Sequence, residues 1–324
     1  MANILVTGGA GYIGSHVCKA LSKAGHTPIT YDNLSRGFKK SVKWGPLVQG
    51  DLHDFEKLKK TLHDHKIQAV MHFAAFAYIR ESVENPQMYF QNNVDGSIML
   101  LEAMRERGVK NIVFSSTCAT YGEAQTDVID ESHPQNPINP YGLSKLMVEK
   151  ILIKYQKEYG FNFCGLRYFN AAGADPELEI GESHDPEPHI IPNIIKAGLQ
   201  KTTLSIFGNN YPTPDGTCVR DFVHVSDLAQ AHVLVLEKLL SQQEIKAFYN
   251  LGNSRGYSLL ELLKSTEKIL NQPVSYEIKE NRPGDPAKLV GCPDLFIKDL
   301  SWQQDHSSLD QIIQTAINWY KKER

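Results

Sequence analysis

A short β-rich run, Asn3-Ile4-Leu5-Val6-Thr7, leads straight into Gly8-Gly9-Ala10-Gly11-Tyr12-Ile13-Gly14. Apolar residues then recur at helical spacing (Ile13, Val17, Ala20, Leu21 and Ala24) until Gly25 stops the run. Glycines at 8, 11 and 14 make a G-x-x-G-x-x-G loop between a strand and a helix. Their missing side chains allow a sharp turn, a close approach to a pyrophosphate, and tight packing of helix on strand. The helix start then offers unpaired N–H groups and the positive end of its dipole to phosphate. A glycine-rich loop alone is modest evidence; with the strand before it and the helix after it, a dinucleotide platform is the reading.

The next strand, Thr27 to Tyr31, ends at Asp32, about 20 residues past the glycines, where a carboxylate suits a ribose 2′-hydroxyl and repels a 2′-phosphate. NAD is therefore expected over NADP, with Arg36 near enough to leave some NADP tolerance. The alternation continues with a strand at 47–49, a helix at 55–65 and a strand at 69–73. A long helix at about 86–107 closed by Gly108 follows, then a strand at 111–115, a helix at 141–159 and a strand at 162–166. Six strands separated by helices predict an α/β fold with a doubly wound parallel sheet of the Rossmann kind. Ligands of such sheets bind beyond the C-terminal strand ends, where Asp32, Asp51, Phe73, Thr117 and Asn170 fall. His72 sits inside an apolar strand and reads as a satisfied core histidine.

The chemistry is expected at Asn139-Pro140-Tyr141-Gly142-Leu143-Ser144-Lys145. Residues i and i+4 share a helix face, so Tyr141 and Lys145 project together, and a neighbouring ammonium favours phenolate over phenol. Such a pair also arises by chance on a solvated helix, and only its surroundings give it meaning. Ser115-Ser116-Thr117 lies at the tip of the fifth strand, where a hydroxyl either bonds a reacting oxygen or caps backbone groups.

The second half reads as a smaller C-terminal lobe with a helix at 190–201, a strand at 203–207, and a helix capped by Asp227 reaching Leu240. A strand at 248–251 and a helix capped by Ser258 complete it. No Gly/Ser linker separates the halves, so the division expected is 1–175 for the dinucleotide and 176–324 mainly for substrate, with segments around 221–251 returning to the first. Net charge is −3 with no basic or acidic block, so nucleic acid and anionic membrane are not expected partners. Cys18, Cys118, Cys164, Cys218 and Cys292 are scattered without Cys-x-x-Cys spacing, which predicts thiols in a reducing compartment, the cytoplasm, and no metal site. No leader pattern and no apolar run of membrane-spanning length is expected to contribute.

Taken together, the glycine loop, Asp32, the hydroxyl residues after the fifth strand and Tyr141-x-x-x-Lys145 resemble the extended short-chain dehydrogenase/reductase superfamily. The stretches Leu5 to His16, Pro140 to Lys145, Leu166-Arg167-Tyr168-Phe169-Asn170 and Gly216 to His224 are similar to the UDP-glucose 4-epimerase family within it, and the likeness spans essentially the whole chain. The resemblance implies tightly bound NAD, contacted by Gly8, Gly11, Tyr12, Ile13, Gly14, Asp32, Asn33, Asp51, Leu52, Phe73, Asn93, Tyr141, Lys145 and Phe169. Tyr141, Lys145 and Thr117 are the implied catalytic set, and a 4-keto sugar the implied transient intermediate. Thr117, Asn170, His189, Arg220, Arg282, Asp285 and Leu289 are implied contacts for a UDP-sugar. A homodimer through the helices around 86–107 and 141–159 is implied too, with Ile98, Leu101, Met104, Met147 and Ile151 serving that contact or the sheet.

Three positions depart from common family patterns: Ala77 replaces a lysine near the nicotinamide end, His189 replaces an asparagine near the nucleotide, and Leu289 bounds the sugar 2-position pocket. An intermediate-sized leucine keeps UDP-N-acetylglucosamine and its 4-epimer open as a second substrate pair. A nucleotide-sugar 4,6-dehydratase or decarboxylase is the nearest alternative, but Cys118-Ala119 stands where dehydratases carry an Asp-Glu pair. A non-catalytic dinucleotide-binding regulator, or a dehydrogenase releasing NADH, are the readings from other classes.

Overall fold

A computed structural model describes residues 1–281 and 286–323. Six parallel strands come from the first half: β1 (Asn3–Thr7), β2 (Thr27–Asp32), β3 (Leu47–Gln49), β4 (Ala69–His72), β5 (Asn111–Thr117) and β6 (Asn162–Tyr168). A seventh, Phe248–Leu251, pairs in parallel with β6 in the register Leu251 opposite Tyr168. The spatial order is β3-β2-β1-β4-β5-β6 and then Phe248–Leu251. The winding reverses between β1 and β4, and a cleft at that switch point is what a doubly wound sheet offers a ligand.

The sheet is covered on both faces, which is why its strands are apolar throughout. Successive residues of a strand point to opposite sides. Ile4 and Val6 thus pack with Val17, Leu21, Leu228, Val235 and Leu236 on one face, and Leu5 packs with Ile29, Leu58, Leu62, Leu101, Met104 and Leu152 on the other. The helix Tyr12–Lys23 lies against the helix Val225–Leu240 on the first of these faces. Val225–Leu240 and Phe248–Leu251, although late in the chain, therefore belong to the large sheet.

The long helix expected over 86–107 is interrupted. Pro86–Tyr89 runs into a wider π turn at Phe90–Asp95 before the α-helix Gly96–Arg107, which Gly108 ends in the left-handed conformation. Such π turns cluster at functional sites. A short helix at Ile79–Glu84 has too little apolar periodicity to be visible in the sequence.

In the second half, Val219–His224 pairs with Asn170–Ala172, Gly256–Ser258 and Lys288–Leu289, while Leu204–Phe207 pairs with Tyr276–Lys279. Helices Ile190–Gln200, Leu259–Leu270 and Leu309–Lys322 bury Ile191, Ile194, Ile195, Leu262, Ile312 and Ile313 against them. Ser258 caps its helix through a reciprocal box with Glu261. Asp227 does not cap its helix: His224 does, accepting from the Ser226 N–H, and the Asp227 carboxylate takes the His306 N–H and the Ser307 hydroxyl. Among the described residues no helix is long and apolar enough to cross a membrane.

Candidate active site

The glycine loop is shaped by contacts that only glycine permits. Gly8 has φ of +72°, and a Cβ there would lie 2.6 Å from the Ala74 amide nitrogen; one on Gly14 would lie 2.2 Å from the Gly8 carbonyl oxygen. The helix Tyr12–Lys23 begins at Gly11 with no side-chain cap, so the cleft-lining residues Tyr12, Ile13 and Gly14 present uncapped N–H groups at its positive end. Asp32 closes β2, its carboxylate accepting from the amides of Ala10 (3.0 Å) and Leu34 (2.8 Å). Burial raises its pKa while those two N–H groups pull the other way. Asn33 donates to Asp51 at 2.8 Å, and Leu52 and Phe73 also line the cleft. This pocket fits a dinucleotide: uncapped N–H groups for a pyrophosphate, and a carboxylate at a strand end for a ribose.

Arg36 is committed elsewhere. Its guanidinium grips both oxygens of Glu81 (2.8 and 2.7 Å) and stacks on the rings of Phe76 (4.1 Å) and Tyr78 (4.7 Å). That cation, which also lines the cleft, ties the Phe76–Glu81 segment to the turn after β2. Asn93 is also anchored: its amide meets the Phe76 N–H (2.8 Å), the Phe76 carbonyl (3.0 Å) and the Ser144 hydroxyl (3.0 Å), and the neighbouring Asn92 lines the cleft.

Deeper in the same cleft lies the tyrosine–lysine pair. Asn139 caps the Pro140–Tyr159 helix by accepting from the Gly142 N–H at 2.8 Å, and proline occupies the first turn. Tyr141 and Lys145 follow one turn apart, beside Thr117 at the tip of β5. The Lys145 ammonium donates to the Ser115 carbonyl at 2.8 Å and sits over the Phe114 ring. The Ser115 hydroxyl bonds the Tyr168 hydroxyl, so Ser115 serves structure through both its polar groups.

The expected lowering of the phenol's pKa by Lys145 is not what the protein alone produces. Burial pushes Tyr141 up to about 12, with hydrogen bonding to Thr117 working against it. Burial likewise drives Lys145 down to about 7, opposed by the charge of Glu149. Both groups are thus pressed toward their neutral forms by desolvation. Any phenolate there depends on charge that a ligand brings.

Glu149, one further turn along, escaped the sequence reading although its i+8 spacing from Tyr141 was the available signal. It accepts both forks of Arg167 (2.9 and 2.7 Å), the Ser116 hydroxyl (2.5 Å) and the Gln135 amide (2.9 Å).

The cleft, about 860 Å³, continues past Phe169 to Asn170, His189, Arg220 and Leu289. Arg220 and Leu289 are register partners in parallel strands, which sets them side by side. Asn170 donates to the Asp221 carbonyl at 2.7 Å. The Asp221 carboxylate accepts the Asn253 amide (2.9 Å) and the Gly291 amide (3.0 Å), fastening this strand to its neighbours. Ala77, one of the three departures from the family pattern, lines the wall. Arg282 and Asp285 lie outside the described residues.

Residues 4–252 match the NAD dependent epimerase/dehydratase family. The chain belongs to that family. A UDP-glucose 4-epimerase of Lacticaseibacillus casei is 46% identical over 320 residues, covering 98% of this chain and 96% of the relative. The structure of UDP-glucose 4-epimerase from Brucella ovis in complex with NAD superimposes with a TM-score of 0.95 at 45% identity, covering 98% of both chains. That of the Bifidobacterium longum enzyme in complex with NAD+ and UDP gives 0.93 at 34% identity, over 99% of this chain and 98% of the other.

Proposed function

We propose that this chain interconverts UDP-glucose and UDP-galactose at carbon 4 of the sugar, with NAD held throughout. The observation that carries the reading is half-buried Tyr141 and buried Lys145, one turn apart in a cleft that joins the glycine loop and Asp32 at one end to Arg220 and Leu289 at the other. Full-length relatives at 46% identity support it.

In this reading Gly8, Gly11 and Gly14 admit the pyrophosphate and Asp32 takes a ribose. Bound NAD supplies a hydride acceptor and donor at the sugar carbon, so the redox change cancels over a turnover. Tyr141 accepts the proton of the 4-hydroxyl and later returns it, Thr117 shares the hydrogen bond to that oxygen, and Lys145 supports the phenolate. Proton transfer by a positioned group contributes about 10²–10⁴ in rate. Arg220 meets a phosphate of the nucleotide through its planar fork, and Asn170 and Leu289 bound the sugar.

Incubation with UDP-galactose tests the reading: UDP-glucose should accumulate to equilibrium with no net NADH. Absence of product, or stoichiometric NADH release, overturns it. Leu289 supports a second substrate pair. An intermediate side chain at the sugar pocket suits UDP-N-acetylglucosamine and its 4-epimer, checked by the same assay with the N-acetyl sugars.

The homodimer remains part of the proposal with a revised surface. Leu101 and Met104 are buried in the sheet core, whereas Met99, Leu143, Met147 and Ile153 stand exposed on the two helices. The proposed setting is the cytoplasm, in keeping with buried Cys18, Cys118 and Cys164 that form no disulfide.

A further inference from the structure

Between the cleft and the helix Ile190–Gln200 runs a loop that gathers Glu182, His184, Glu187 and His189. One ligand-type atom from each lies within 4.8 Å of all the others. His184 Nδ1 lies 3.3 Å from Glu182 Oε1 and 3.5 Å from Glu187 Oε2, while His189 Nδ1 lies 3.2 Å from the other Glu187 oxygen, Oε1. The edge of a tetrahedron around an ion with bonds of about 2.0–2.1 Å is about 3.3–3.4 Å. The fourth contact, His189 Nδ1 to Glu182 at 2.5 Å, is tighter and would open slightly around an ion.

A second observation points the same way. The Glu182 side chain is 7% exposed, yet its Oε1 makes no well-directed hydrogen bond, and neither does His184 Nδ1, although both face the cluster. The acidic group Asp175, Glu177 and Glu179 offers a contrast, because there the Lys19 ammonium fills the centre at 2.6, 3.0 and 2.7 Å. No lysine or arginine is paired with any of the four residues at the loop among the described ion pairs. Two carboxylates leave a charge of −2 beside two imidazoles, which either two protons or one divalent cation neutralises.

We propose that Glu182, His184, Glu187 and His189 form a binding site for a divalent transition-metal ion of the Zn²⁺ class at the rim of the cleft. Two nitrogen and two oxygen donors suit Zn²⁺ or Co²⁺ and do not suit Mg²⁺ or Ca²⁺, which call for six or more oxygens. The four donors come from a stretch of eight residues, so an ion pins this loop. The loop borders the site through the His184 ring, which stands edge-on to Tyr12 (6.3 Å) and Tyr78 (6.0 Å).

The test is calorimetric titration of the full chain with ZnCl₂ and, separately, MgCl₂. One Zn²⁺ per chain and no Mg²⁺ is expected, with His184→Gln and Glu182→Gln each weakening Zn²⁺ by at least about tenfold, the loss seen even for outer-shell partners. Zn²⁺ binding unchanged in both variants, or none at all, overturns the proposal. Titration of the unaltered protein with Co²⁺ needs no variant. Intense visible bands of a four-coordinate ion support the site, and only the weak spectrum of a six-coordinate ion refutes it.

Discussion

Glu149 and Arg167 meet through two parallel hydrogen bonds of 2.9 and 2.7 Å, their side chains 2% and 5% exposed. The pair fastens the helix that carries Tyr141 and Lys145 to β6 of the sheet. From Arg167 the network reaches the Tyr121 hydroxyl at 3.0 Å, and from there Asn250 in the seventh strand at 2.7 Å. The position of the tyrosine–lysine pair relative to the cleft is thus held by a charged core and not by apolar packing alone.

Replacing one partner strands the other charge in the interior. Glu149→Leu should lower unfolding free energy by about 3–5 kcal/mol, and Glu149→Leu with Arg167→Met should recover much of it. Urea denaturation of the single and double variants measures both. A double variant no more stable than the single one would show that the ion pair is not the source of the loss.

Tyr141→Phe removes the only atom proposed to exchange a proton with the sugar, and should cut kcat by about 10²–10⁴. NAD extracted from the denatured variant should remain near its usual content, since the glycine loop is untouched. Near-normal turnover would exclude the assigned role.

With Arg36 held by Glu81, Phe76 and Tyr78, its loss should loosen the segment over the cleft. Arg36→Ala should weaken NAD retention several-fold without any gain for NADP, read by competitive binding of the two dinucleotides. A variant that turned toward NADP would contradict the clamp.

His72 is buried between the Thr7 and Ser97 hydroxyls (2.7 and 2.8 Å), and burial brings its pKa down to about 3 from an ordinary value near 6.5. Between those values the unfolded chain holds a proton there that the folded chain does not, so this position stabilises the fold at neutral pH and the contribution is lost on acidification. Stability of the parent should therefore fall relative to His72→Gln by about 1.4 kcal/mol for each pH unit below about 6.5. Parallel acid-limb denaturation curves for the two proteins would refute this.

Leu289 sits in the cleft wall beside Arg220. Leu289→Tyr should reduce turnover of N-acetylated UDP-sugars by at least about tenfold, equivalent to about 1.4 kcal/mol, while sparing UDP-galactose. Equal losses for both sugars would remove this residue from the specificity argument.

Much of this was already legible in the chain as written. Short continuous apolar runs and period-3.6 patterns place six strands and their helices because both faces of a parallel sheet must be apolar, and that requirement is local in sequence. Gly8, Gly14, Asp32 and the Tyr141–Lys145 spacing are local as well, set by a turn, a strand end and one helical turn. Tertiary structure decided what depends on distant segments meeting. It anchored Asn93 on Phe76 and Ser144 and Arg36 on Glu81, gave Lys145 the Ser115 carbonyl, and set Phe248–Leu251 in register against β6. Burial then set the protonation of Tyr141 and Lys145, because desolvation is a property of the surrounding fold and not of the four-residue spacing that first marks them.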